Sequence, residues 1–123
     1  MKRIALGLVL IGSASVVPVH AADSNGMFNV QGLGNHSCGK FIEAANQANN
    51  QSNWSSWNNY ASYTAGYITG LNEYLNSTHD LMRSTDMDGV MAYIEKFCRE
   101  NPLEDFHDGL QALTTELYPK RKQ

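Results

Sequence analysis

Residues 85–117 read TDMDGVMAYIEKFCRENPLEDFHDGLQALTTEL, and this stretch decides the fold. Thr85 and Asp88 have the spacing of a capping box, which predicts that a helix begins here. The apolar side chains of this helix recur at helical spacing: Met87, Val90, Met91, Ile94, Phe97 and Cys98. We expect Asn101 to end the helix and Pro102 to begin the next one, because proline at a first helical position loses no hydrogen bond.

The segments on either side of this helix have the same kind of apolar pattern. After it come Leu103, Phe106, Leu110, Leu113 and Leu117, at spacings of three and four. Pro119 is expected to stop this last helix. Further upstream, Ser37 is placed to cap a first helix that runs to about Asn49. Its inward side is expected to carry Cys38, Phe41, Ile42 and Ala45.

A longer second helix is predicted from about Trp54 to Leu75, with two stripes of large side chains. One stripe contains Trp54, Trp57, Ala61, Thr64, Ile68, Leu71 and Leu75; the other contains Tyr60, Tyr63, Tyr67 and Tyr74. Gly66 and Gly70 adjoin the tyrosine stripe, and a helical glycine costs about 1 kcal/mol relative to alanine. We therefore expect close packing of another helix at these two glycines. Two interpretations of the tyrosines stay open: a buried part of the domain, or a surface for a partner, a client or a second subunit.

No segment alternates with period two, so the predicted fold class is all-α. We expect a small four-helix bundle over residues 37–119. Residues 22–36 are glycine-rich with little periodicity, and we interpret them as a flexible N-terminal arm. Residues 120–123 are expected to form a solvated basic tail that suits a helix C-terminus.

The first 21 residues have the organisation of a secretory signal. Lys2 and Arg3 precede a mostly apolar run, and small residues follow it up to Ala21. The run is too short for a comfortable membrane span, which needs about 20 apolar residues. We expect cleavage after Ala21 and a mature protein in the periplasm.

Cys38 and Cys98 are the two cysteines of the chain. An exported chain meets oxidising conditions, and neither cysteine belongs to a Cys-x-x-Cys redox motif or a metal-binding cluster. We therefore predict one structural disulfide. Closing a loop of this length stabilises the fold by about 4 kcal/mol in the loop-closure model.

The charge of the chain argues against nucleic acid as a partner. The formal net charge is −3, and it becomes −5 in the mature protein because Lys2 and Arg3 are removed. Nucleic-acid binding needs a basic face. No later stretch of the sequence is apolar enough to span a bilayer, so no membrane role is expected either. A protein partner, with a possible homodimer, is the remaining expectation.

The sequence contains no pattern typical of catalysis or metal binding. His36, His79 and His107 are isolated from one another and are interpreted as surface or loop residues. Residues 86–89 resemble the start of a calcium loop but lack its later ligands, so we interpret them as the start of a helix. We expect no enzyme activity, no cofactor and no metal site.

Two segments carry a family resemblance. Residues 38–43, CGKFIE, and residues 93–102, YIEKFCRENP, resemble the HdeA/HdeB family of periplasmic acid-stress chaperones. The shared features are a signal peptide, a mature chain of similar size, an early cysteine that opens a helix, and a second cysteine followed by Asn-Pro and a last helix. The long Trp- and Tyr-rich second helix departs from the family pattern.

This resemblance implies an acid-activated function. Such a protein hides apolar surface in a dimer near neutral pH, and opens in acid to bind unfolded clients non-specifically. The residues expected to form the client-binding surface are Trp54, Trp57, Tyr60, Tyr63 and Tyr67.

The chain also resembles a second family, the immunity proteins that neutralise periplasmic amidase toxins of type VI secretion. These proteins are also small, exported, helical and disulfide-bonded. Residues 66–70, GYITG, and residues 98–102 match the places of a glycine-containing helix and of a cysteine followed by proline. This resemblance implies tight binding of one folded enzyme at neutral pH.

Overall fold

The computed structural model describes residues 22–123, which contain four α-helices. Their bounds are Cys38–Gln51 (α1), Ser55–Tyr74 (α2), Met87–Glu100 (α3) and Phe106–Leu117 (α4). Short 3-10 helices lie at Gly32–Asn35 and Tyr118–Lys120. The predicted signal peptide, residues 1–21, lies outside the described residues. Within the part of the chain that is described there is no β-strand, and the predicted all-α fold is confirmed.

The predicted disulfide is also confirmed. It joins Cys38, the first residue of α1, to Cys98 near the end of α3, and the two Cα atoms lie 4.8 Å apart. Around it lies a single core in which Phe41, Ile94 and Phe106 are fully buried. The bond therefore ties together two helices that already share the core.

The helix starts are fixed by side-chain caps. Ser37 caps α1 as predicted, since its hydroxyl accepts a hydrogen bond from the backbone N–H of Lys40. The prediction for α3 was wrong by one residue. Asp86, not Thr85, has the extended backbone of an N-cap, and its carboxylate accepts a bond of 2.9 Å from the Gly89 N–H.

The predicted start of the last helix at Pro102 was also wrong. Residues 102–105 form a turn, and α4 begins at Phe106. Asp105 is the N-cap, and its backbone N–H donates to the Asp108 carboxylate at 2.9 Å. Acidic side chains at both positions of a capping box therefore decide the start of this helix, and Leu103 is left 96% exposed.

Two sets of backbone hydrogen bonds join segments that lie between or beyond the α-helices. At the start of α1, the Cys38 N–H donates to the Glu104 carbonyl at 2.8 Å, and the Phe106 N–H donates to the His36 carbonyl at 2.8 Å. At the other end, Lys122 pairs with Asp80 in the loop between α2 and α3. The basic tail thus lies along that loop.

Candidate functional site

Tyr60, one of the five predicted client-binding residues, lies in the core. It is only 4% exposed, and its ring packs against Phe41 and Phe106 at centroid distances of 5.1 and 4.8 Å. Its hydroxyl lies 2.8 Å from Nδ1 of His36. Burial raises the pKa of Tyr60, and the nearby Glu43 carboxylate raises it further. In the folded protein Tyr60 therefore offers no surface to a partner.

Tyr63 and Tyr67 are half-buried, and each makes one polar contact outside α2. The Tyr63 hydroxyl donates to the Gln31 carbonyl at 2.9 Å. It also lies so near Gly34 that a Cβ there would come within 2.5 Å of it. The Tyr67 hydroxyl lies 3.3 Å from the hydroxyl of Thr114 on α4. The two tyrosines thus face other parts of the same chain.

Trp54 and Trp57 form a separate pair at the start of α2. Their rings meet edge to face with centroids 5.5 Å apart, and Trp54 is 46% exposed. The five residues predicted to bind clients therefore do not form one surface. Tyr60 is buried, Tyr63 and Tyr67 contact other segments of the same chain, and the two tryptophans form a separate pair.

The predicted close helix packing at Gly66 and Gly70 is not found among residues 22–123. A Cβ built at either glycine would have no other atom within 4 Å. The buried face of α2 is instead formed by Tyr60, Thr64 and Ile68. Gly66 and Gly70 lie away from these contacts, on a side of α2 with open space beside it.

A groove of about 930 Å³ lies between the start of the described chain and the helices α2 and α4. We call it the arm groove, and its lining residues are Ala22, Asp23, Ser24, Gly26, Phe28, Tyr67, His107 and Gln111. Its volume is within the range of sites that bind small molecules. It contains one of the predicted aromatic residues, Tyr67, and His107, which the sequence indicated only as an isolated histidine. The other lining residues belong to no predicted site.

His107 is the central side chain of this groove. Its ring lies 5.5 Å from the Phe28 ring and 5.6 Å from the Tyr67 ring, centroid to centroid. Its Nδ1 atom is buried and has no hydrogen-bond partner among the described residues. Burial lowers the pKa of His107, and the neighbouring Asp108 carboxylate opposes part of that effect. His107 therefore lies on α4 with a half-buried ring, which corrects the interpretation of it as a surface or loop residue.

Residues 22–30, which we call the outer arm, are held on the groove by side-chain contact. Within the described chain, no hydrogen bond joins them to the four α-helices. Asp23 closes a local turn, since its carboxylate accepts from the N–H groups of Asn25 and Met27 at 2.9 and 2.8 Å. Met27 and Phe28 remain 65% and 54% exposed. One hydrogen bond joins the outer arm to the rest of the described chain, from the Asn35 side-chain amide to the Val30 carbonyl at 2.6 Å. A segment with so few buried contacts and anchoring bonds is typical of those that open at low free-energy cost.

The structure and the comparisons add three findings about other kinds of site. No helix within residues 22–123 is long and apolar enough to cross a membrane. The same residues contain no group of three or more histidine, cysteine or acidic side chains arranged to hold a metal ion. A comparison of the chain with protein-family models, curated proteins and solved structures finds no match.

Proposed function

We propose that this protein is an exported binding protein of the periplasm that holds unfolded clients at low pH, as the resemblance to the HdeA/HdeB family implies. The observation that supports this most is the arm groove. It is an apolar site that the chain covers with its own outer arm, and among the described residues no hydrogen bond joins that cover to the α-helices beneath it. A protein that must expose apolar surface on demand needs such a removable cover.

The charge balance supplies the trigger. In strong acid the carboxylates lose their charge, and the mature protein moves from about −5 to about +11, counting Lys, Arg, His and the amino terminus. Mutual repulsion of these charges favours more open states, and it would also loosen a homodimer. Acid thus acts on the whole chain in the direction of exposing the groove.

The helical domain itself depends little on charge pairs. The three salt bridges among the described residues, Lys96–Glu100, Arg99–Glu95 and Lys120–Glu116, each join residues four apart in sequence and lie at the surface. Exposed pairs of this kind contribute little to stability, so their loss in acid costs little. The disulfide between Cys38 and Cys98 resists acid as well. The domain can therefore stay together while its outer arm opens.

The test is a light-scattering assay with an unrelated, aggregation-prone protein. Mature protein with its disulfide intact is mixed with this client at about pH 2.5 and about pH 7. We expect suppression of aggregation in acid and little suppression at neutral pH. A chain that suppresses at neither pH is not an acid-activated chaperone, and one that suppresses equally at both has no acid trigger.

A second candidate function is supported by the open side of α2 at Gly66 and Gly70. With no side chain above these positions, the backbone of a folded partner can approach α2 closely, and Trp54 offers an exposed aromatic anchor near the start of the helix. This surface suits an immunity protein for a periplasmic amidase toxin. The test is binding to such amidases at pH 7, measured calorimetrically. Gly66→Trp should abolish that binding and leave the arm groove unchanged.

A further inference from the structure

We infer that the arm groove is a binding site for an aromatic side chain on an extended apolar peptide, and that Phe28 occupies this site as an internal substitute. The inference rests on the proposed function and assigns the client site to a place in the fold. It moves that site from the tryptophan and tyrosine stripes of α2 to the space between the outer arm, α2 and α4.

The position of the outer arm indicates what kind of ligand fits. The segment from Met27 to Gln31 has no regular secondary structure, and Gln31 has an extended backbone. It presents the Phe28 ring to His107, while the hydrogen bond from the Tyr63 hydroxyl to the Gln31 carbonyl holds the chain directly after the outer arm. An aromatic side chain on an extended backbone is a feature that many unfolded chains share. A site that recognises this feature binds clients without a defined sequence.

The groove has room for more than its present occupant. Phe28 is 54% exposed, so it covers only part of a space of about 930 Å³. The rings of Tyr67 and His107 meet at 89°, an edge-to-face arrangement whose aromatic surface also suits another ring. The outer arm competes only because it is tethered, which gives it a high effective concentration at the groove. A client peptide therefore binds to the groove with higher affinity once Phe28 has left it.

Protonation of His107 favours displacement of the outer arm. Asp108 on α4 and Tyr67 on α2 face the His107 ring, and Asp23 of the outer arm lines the same groove. A proton on the half-buried imidazole adds a charge that the apolar contact with Phe28 does not solvate. The protonated ring is therefore better solvated when the outer arm moves away and water reaches it.

The experiment uses the mature protein and two fluorescein-labelled probe peptides. Each probe is a nine-residue Gly/Ser/Ala peptide, with Phe at its centre in one and Ala in the other. Binding is measured by fluorescence anisotropy at pH 7 for the wild type, for Phe28→Ala, and for Met27→Ala as the matched control. Both variants alter exposed side chains outside the core, so both should fold.

We expect Phe28→Ala to bind the Phe probe at pH 7 about tenfold more tightly than the wild type, because it removes the tethered competitor. Met27→Ala should match the wild type, and the Ala probe should bind about tenfold more weakly than the Phe probe. The Phe probe should also shift the NMR signals of the His107 ring. Equal affinities of Phe28→Ala and wild type, or of the two probes, would overturn the inference.

The outcome separates this inference from the proposed function. If Phe28→Ala leaves probe binding unchanged while the wild type suppresses aggregation at pH 2.5, the chaperone function stands and the site is elsewhere. If Phe28 controls probe binding while aggregation is not suppressed at any pH, the site stands and the acid-chaperone function fails.

Discussion

The Tyr63 hydroxyl donates a hydrogen bond of 2.9 Å to the carbonyl of Gln31, and this bond divides the N-terminal segment into two parts. On one side, residues 31–36 are anchored by Tyr63, by the His36–Tyr60 contact and by the buried Gly34. On the other side, the outer arm lies on α2 and α4 without a hydrogen bond to either of them, and its last residue, Val30, accepts a bond of 2.6 Å from the Asn35 side-chain amide. The same tyrosine therefore marks the point where a firmly held chain becomes a removable cover.

Removing this hydroxyl should loosen the N-terminal segment. We expect Tyr63→Phe to lower the free energy of unfolding by about 0.5–1.5 kcal/mol, the usual contribution of one such bond. Amide hydrogen exchange should accelerate in residues 22–31 and stay unchanged in α3. Tyr74→Phe is the matched control, because Tyr74 is 77% exposed and makes no hydrogen bond among the described residues. Equal effects of the two changes in urea denaturation would mean that the bond does not anchor the segment.

His107 should make the folded state sensitive to mild acid. Its pKa is lowered by burial, so below the ordinary value of 6.5 the open or unfolded chain takes up the proton more readily than the folded chain. The difference in proton uptake has no effect on the free energy of unfolding at higher pH, where His107 is neutral in both states. It lowers that free energy as the pH falls below 6.5. We expect His107→Phe to remove it, which flattens the loss of stability between pH 7.5 and pH 5. His79→Phe, at an exposed loop position, should retain the wild-type slope in urea titrations.

The bundle could be predicted from the sequence because its helices depend on local patterns. The spacing of apolar residues predicts α3 and α4, and Ser37 predicts the start of α1. The predicted start of α4 at Pro102 was wrong because the caps made by Asp105 and Asp108 outweigh the preference of proline for a first helical position. At this site the acidic capping box is the stronger signal.

The arm groove could not be predicted, because its parts are distant in sequence. Phe28, Tyr67 and His107 belong to three segments, and no spacing within one segment records that they meet. Burial of Tyr60 agrees with the buried interpretation of the tyrosine stripe, which the sequence left open because helical periodicity identifies a stripe but not which neighbour covers it. One feature of the sequence does point to the groove. His107 directly follows Phe106, which begins the apolar face of α4, so a histidine is expected beside the core.

The disulfide should account for a large part of the stability of the domain. It closes a loop with a sequence separation of 60, for which the loop-closure model gives about 4 kcal/mol. Because both cysteines are fully buried, alanine is the appropriate replacement at Cys38 and Cys98. The double variant should unfold at much lower urea concentration and lose aggregation suppression at pH 2.5. Unchanged denaturation midpoints would mean that the bond only joins helices already held by packing.

The glycines of α2 provide a test of the open space beside that helix. Gly66→Ala and Gly70→Ala should each raise the free energy of unfolding by about 0.5–1 kcal/mol, since alanine favours the helix and the new methyl group meets no neighbour. Gly34→Ala is the contrasting control and should be destabilising, because its methyl group would meet the Tyr63 hydroxyl and Val30 at 2.5 Å. Urea denaturation of the three variants measures whether the free energy of unfolding rises, as expected at Gly66 and Gly70, or falls, as expected at Gly34. A loss of stability at Gly66 or Gly70 at high protein concentration, with a gain on dilution, would place a second copy of the chain on this side of α2.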